Sequence, residues 1–413
     1  MIKHPLIKDA ELLLNDKPNV YALREQAKST LNKIGFPTKK TEAWKYTNIT
    51  NLLKTDFNIN KNHEKSHCSC NKKHEKDYFI NICFCDGLLH IEEYNLPEGL
   101  IIEPLPIALL EDSYKKYLNK SYEMEKHPFA ALNTIYLEQG ICICATKNTQ
   151  ITTPIKITYN NTECNNTQNN IHNLFVIEKN AHLNIIEEYI SKKDNSFFSN
   201  IINEIYLEKQ SKLNHYKILK ESTHSYHIAL NSIKVKELAQ YNQFYYSYAS
   251  KLNRNENLIN LEQIEATANI YSAYQTKKDC LTDITTNINH KAQNTNSNQL
   301  AKCVLEEDSY ATFQGKIHIC PNSEKSHGEQ LHKALYLNNN ATLNCKPELE
   351  IYTDDVKCSH GASCGEINKE QLFYLTSRGI SKTEAIKMLT KAHLEEIISL
   401  IEDENIKNIF TNN

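Results

Sequence analysis

A spacing of about thirty residues constrains this chain more than any other feature. Between residues 181 and 343 a small residue, any residue and then usually an apolar one recurs, as Ala181-His-Leu183, Ser211-Lys-Leu213, Ala239-Gln-Tyr241, Ala268-Asn-Ile270, Ser309-Tyr-Ala311 and Ala341-Thr-Leu343. The successive intervals are 30, 28, 29, 41 and 32 residues, so only one departs far from the period. A repeat of this length is one supersecondary unit that buries its apolar face only by stacking on its neighbours. From about Glu138 to Cys345 the pattern is of alternating strands, which predicts a β-solenoid whose free strand edges lie at its two ends, where a partner can dock. A β-sandwich would give short strands too, but its hairpins favour Asn-Gly or Asp-Gly, and neither dipeptide occurs in this region.

The flanks have a helical period. Val20, Leu23, Ala27, Leu31 and Ile34 predict a helix over 20–34 that stops at Gly35 and Pro37. Trp44 and Tyr46, set among lysines and threonines, are expected to close over that helix, with a partner surface as the alternative. Cys83 and Cys85, in the alternating run YFINICFCDG, are expected on one face of a strand. Beyond residue 365, Asn368 with Gln371 and Ser381 with Glu384 form capping boxes, and Gly379 ends the first of two helices. The second carries Ala385, Leu389, Ala392, Glu396 and Ile397 along one side, widened by Ile386, Ile398 and Ile401, for docking on its own solenoid or on a second protein. The expected division is 1–135, mixed helical; 136–365, β-helix core; and 366–413, helical.

Composition excludes several functions. A net charge of -3 lacks the basic stripe that gives nucleic-acid binders most of their affinity. The start, MIKHPLIKDAELLLND, lacks the apolar core of a signal peptide, and no run of about 18 apolar residues could span a bilayer. A soluble, cytoplasmic protein is expected, with its 13 cysteines as reduced thiols. Nine glycines are few for so many turns, so asparagine must take left-handed positions. No glycine-rich phosphate cradle, G-x-S-x-G elbow or H-E-x-x-H motif occurs, so no enzyme is expected. A carbohydrate-active β-helix would need carboxylates facing one groove, and in a strand Asp354 and Asp355 point to opposite faces. His224, His227, His327 and His332 are expected to be polar strand or loop residues.

Two stretches have the side chains of a metal site. In Pro347–Gly365, PELEIYTDDVKCSHGASCG, the residues Cys358, His360 and Cys364 crowd together among small residues, and thiolate and imidazole are ligands for zinc, copper and iron–sulfur clusters. Their spacing matches no closed zinc pattern, and buried free cysteines beside a turn histidine are the bland alternative. In Asn62–Asp77, the residues His63, His67, Cys68, Cys70 and His74 make metal binding chemically feasible. C-x-C is tighter than a zinc knuckle, however, so a solvated insertion is preferred.

The same carboxy-terminal run, followed by EQLFYLTSRGIS, resembles the signature of the SufB/SufD family of iron–sulfur cluster assembly proteins, on its SufD side. Gly35 to Thr47, with Trp44 in an E-x-W-K-Y-T setting, resembles that family's amino-terminal signature. The resemblance implies a right-handed parallel β-helix core and a non-catalytic scaffold. It further implies pairing with SufB through the β-helix ends, binding of the ATPase SufC through the C-terminal helical domain, and homodimers when the protein is alone. His360 then matches a family ligand for iron or a transient cluster shared with SufB, and Cys358 the adjacent family cysteine. Cys364 stands where the family more often has an aliphatic residue, and is either an extra soft ligand or an isosteric core residue. His393 stands where an aromatic is common. Alternatives are a SufB-like scaffold in its own right, which would bring flavin into the complex, and a metal-storage protein using the His63 to His74 cluster.

Overall fold

The computed structural model describes residues 4–10, 18–60, 78–91, 96–161, 166–192, 194–248, 250–338 and 340–411. From Ile155 onward the chain runs out along one sheet and back along another, and the coils stack with parallel strands in both. The first sheet ends with His182–Ser191, Lys212–Lys220, Gln240–Tyr248, Thr267–Thr276, Asn296–Leu305, His327–Tyr336 and Lys357–Glu366. The second ends with Phe197–Leu207, Tyr226–Val235, Leu252–Leu261, Leu281–His290, Tyr310–Ile319 and Thr342–Ile351. This is the expected parallel β-solenoid, flanked by helices at both ends. The early strands Ile80–Cys85, Leu88–His90 and Leu100–Pro104 also join the sheets. Asp86-Gly87, both with positive φ, makes the hairpin between the first two, a turn signal the repeat analysis passed over.

The aberrant interval of 41 has a structural cause. The triplets at Ala181, Ser211 and Ala239 precede first-sheet strands, whereas Ser309 and Ala341 precede Tyr310 and Thr342 of the second sheet. The long interval is a jump between sheets, one and a half coils on. Within the first sheet Gln240 pairs with Thr267, so Ala266, not Ala268, is the partner of Ala239.

The turns show how the coils stay in register. Asn180, Gln210, Leu238, Glu265, Asn294 and Lys325 each precede a first-sheet strand by two residues, with φ between 56 and 60°. A left-handed residue other than glycine costs about 1–2 kcal/mol. Each of these amides donates to a carbonyl of the next coil at 2.6–3.3 Å, which offsets about 1 kcal/mol of that cost. Among the described residues, nine of the thirteen non-glycine positive-φ positions are asparagine or aspartate, as the shortage of glycine led us to expect.

The helix Pro18–Ile34 buries Val20, Ala27 and Leu31, and also Arg24, whose guanidinium donates to the Leu137 carbonyl at 2.8 Å. Trp44 is buried against Phe129, 5.3 Å between ring centroids, so it closes the amino-terminal core and is no surface feature. At the other end Asn368 and Ser381 cap Lys369–Ser377 and Lys382–Ile398 as expected. The second helix docks on its own solenoid through Leu394, Ile397 and Ile398, and Lys302 pairs with Glu396. Ala392, expected on the docking face, is exposed, because the buried stripe is set by Ala385, Thr390, Leu394 and Ile397, while Glu396 meets the solenoid at the rim of that stripe. No described helix is long and apolar enough to cross a membrane.

The solenoid interior is apolar on one side and polar on the other. Asn173, Asn203, Asn231 and Asn257 pass amide hydrogen bonds from coil to coil at 2.9 Å. His227 pairs with Glu221 at 3.2 Å, while His290 and His332 are buried without a carboxylate partner among the described residues. Desolvation pushes the last two down to about 4 from an ordinary value of 6.5. The unfolded chain therefore takes up protons there that the folded chain refuses, and this share of the stability is complete above pH 6.5 and lost as pH falls toward 4. The expected slope is about 1.4 kcal/mol per pH unit for each histidine. Urea midpoints measured from pH 7 to 4.5 should flatten in His290→Gln and His332→Gln; equal slopes in both variants and the parent would contradict this origin.

Candidate functional site

The candidate residues lie on the last coil. Lys357–Glu366 is the outermost strand of the first sheet and Thr342–Ile351 that of the second, so each leaves one backbone edge unpaired by any described strand. Pro347, which has no N–H to donate, sits on such an edge. Gly328 pairs with Cys358, Gln330 with His360 and Ala334 with Cys364, and the buried side chains of Gln330, His332 and Ala334 identify that face as inward. Cys358, His360, Ala362 and Cys364 therefore share the inward face, opposite Leu343, Cys345, Pro347, Leu349 and Ile351 of the second sheet. With no further described coil on top, the interior opens to solvent there.

Cys358 and His360 are brought side by side, two residues apart on one face. Burial pushes the half-buried Cys358 thiol up, partly countered by a hydrogen bond with the Gly328 backbone. His360 is exposed at the mouth. Cys364, expected to crowd with them, lies about 13 Å further along, because the segment is an extended strand rising about 3.3 Å per residue. Ser359, Gly361 and Ser363 take the outward face, so the small residues are divided between two surfaces and do not surround His360. Asp354 and Asp355 lie in the turn between the two strands and not within one. Among the described residues no three His, Cys, Asp or Glu side chains are close enough to hold a metal together. Any metal or cluster at His360 and Cys358 thus needs ligands from beyond the described residues. His63, His67, Cys68, Cys70 and His74 lie outside the described residues.

Sequence reasoning missed a buried charged cluster in the lumen. Glu187 accepts from Tyr159 and Tyr189 at 2.9 Å on one oxygen, and from Asn203 at 2.9 Å and His215 at 2.8 Å on the other. The Lys217 ammonium lies 3.3 Å away and donates to Asn231. Desolvation would raise the Glu187 carboxyl, but Lys217 and His215 outweigh it and hold the group well below the usual range. The stacking register carries the signal, since Glu187 pairs directly with Lys217 and His215 sits two residues before it.

The family model for the SUF system FeS cluster assembly SufBD core domain matches residues 158–393, and that for the SufBD protein N-terminal region matches 7–157. An iron–sulfur cluster assembly SufBD family protein of Synechocystis is 28% identical over 404 residues, covering 92% of this chain and 86% of its own length. The iron–sulfur cluster assembly protein SufD of Escherichia coli is 26% identical over 406 residues, covering 93% and 89%. The chloroplastic protein ABCI7 of Arabidopsis thaliana is 24% identical over 403 residues, covering 93% and 83%.

Proposed function

The chain belongs to the SufBD family of the SUF iron–sulfur cluster assembly system, and from that premise we propose that it is a non-catalytic scaffold subunit of the SufD kind. Its open terminal coil pairs with a SufB-type partner, and its C-terminal helices, residues 366–413, bind the ATPase SufC. The observation that carries this reading is the uncapped coil, with two strand edges unpaired by any described strand and the His360–Cys358 pair at its mouth. An imidazole and a thiol from one subunit make half a site. A partner contributing thiolate would complete a mixed set that holds a cluster as transient cargo and releases it. Residues 136–365 are on this account the docking and assembly core. The exposed Phe373 and Tyr374, 73% and 59% accessible on the helix Lys369–Ser377, support a second docking surface.

His360→Ala tests the site. The exposed side chain contributes little to packing, so the urea midpoint and partner binding should not change. Cluster recovered on the anaerobically assembled complex should fall roughly tenfold or more. Unchanged cluster yield would remove His360 from the site.

A further inference from the structure

The terminal coil carries two thiols that the His360–Cys358 pair does not use. Cys345 is in register with Phe313 on the second sheet, and Cys364 with Ala334 on the first. Phe313, Ala334 and Cys345 pack in one cluster, which fixes both cysteines on inward positions, one from each sheet. The two strands run out and back across the lumen. Cys345 lies three residues after the start of Thr342–Ile351 and Cys364 two before the end of Lys357–Glu366, so the pair face each other at the same place along the coil. Burial, and then Cys364, push the Cys345 thiol up to about 11.

Packed sheets lie about 10 Å apart, whereas a disulfide needs Cα atoms within about 7 Å. A cation bound to two sulfurs through bonds of about 2.3 Å adds the missing span. Apart from His360, about 13 Å along the strand from Cys364, the inward positions of this coil hold no basic residue, so a bound cation is what would stabilise two thiolates there. We propose that Cys345 and Cys364 form a two-thiolate site for a soft d10 cation of the zinc or copper(I) kind, closing the last coil across its lumen. Each thiol gives up its proton as the metal–sulfur bond forms, so a divalent ion enters with the release of two protons. Exchangeable ligands occupy the remaining positions at the open mouth. The site is separate from His360, about 13 Å away along the strand, and does not depend on a partner or on the assembly role.

The test uses the full, reduced, metal-stripped chain, titrated with zinc and separately with copper(I) against a chromophoric chelator, with proton release followed at constant pH. One equivalent should bind in the parent and in Cys358→Ser, and its affinity should drop at least about tenfold in Cys345→Ser and in Cys364→Ser. A variant lacking residues 62–77 should keep this equivalent, which separates it from the histidine-rich segment. Equal urea midpoints of the metal-free proteins show that the serine variants fold, and Cys364→Ala serves as a second, exposed substitution. Copper(I) binding through both cysteines without zinc would retain the site and assign it two-coordinate geometry. Binding unaffected by either serine variant, or lost only with residues 62–77, would overturn it.

Discussion

Asp283→Asn should lower the unfolding stability by about 3–5 kcal/mol. One Asp283 oxygen receives both the Thr47 hydroxyl and the Arg254 guanidinium, and the other accepts from Thr285 at 2.9 Å. Arg254 is fully buried, lies 4.1 Å beneath the Trp44 ring and reaches Glu256 at 3.1 Å. This is how the amino-terminal segment is pinned to the outer face of the second sheet. Removing the Asp283 charge leaves a buried guanidinium with Glu256 as its remaining carboxylate, and takes an acceptor from Thr47. The urea midpoint should fall, and protease sensitivity should appear around residues 40–50 before the solenoid opens. By contrast the Glu42 carboxylate, which meets Lys346 at 2.7 Å in full exposure, should leave the midpoint in place when replaced by Gln. A midpoint in Asp283→Asn equal to the parent would show that Arg254 is not held by this carboxylate.

Glu187→Gln should cost a similar amount, about 3–5 kcal/mol. The substitution keeps the volume but leaves the Lys217 ammonium buried without its counter-ion, and turns an amide NH2 toward groups that donate to a carboxylate. Adding Lys217→Met removes the second charge, so the double variant should recover at least about 1 kcal/mol relative to additivity. Additive losses across the four proteins would mean that Glu187 and Lys217 do not share one network.

The two variants touch what the sequence hid. Its period predicted the solenoid because small and apolar residues recur before strands, but strands of both sheets carry that signal. Their half-coil offset produced the interval of 41 and the misplaced Ala268. Glu187, Lys217, Arg24 and Arg254 were illegible as core residues because a charged side chain is placed outside by default, and only a partner brought in from another coil reverses that. The columns were nevertheless written in the chain. Asn173, Asn203 and Asn231, and Asn184, Asn214 and Asn242, recur at intervals of 30 and 28. Polar residues repeating in phase with the coil mark side-chain ladders. At the site, Cys358 and His360 were singled out by the family signature they sit in and not by their spacing, and the ladder places them on one face. The separation of Cys364 was not legible, because a run of Ser, Gly and Ala suggests a compact loop, while the ladder to His327–Tyr336 draws it into an extended edge strand. The third terminal helix, Glu404–Thr411, which packs Ile406 and Phe410 on Tyr216 and Phe244, was too short to announce itself by period.

The central claim is that the open coil is half of an interface in a cluster-assembly complex. Its most direct test is co-expression of this chain, tagged, with the host's SufB-type and SufC-type proteins, followed by anaerobic purification and native mass determination. The account predicts a complex holding one SufB-type subunit and one copy of this chain, together with the ATPase, which dissociates when the edge strand is blocked by proline substitution at Ala362, whose N–H points away from the ladder to His327–Tyr336. Recovery of this chain alone, or only with a second copy of itself, while the SufB-type protein is present and soluble, would contradict it.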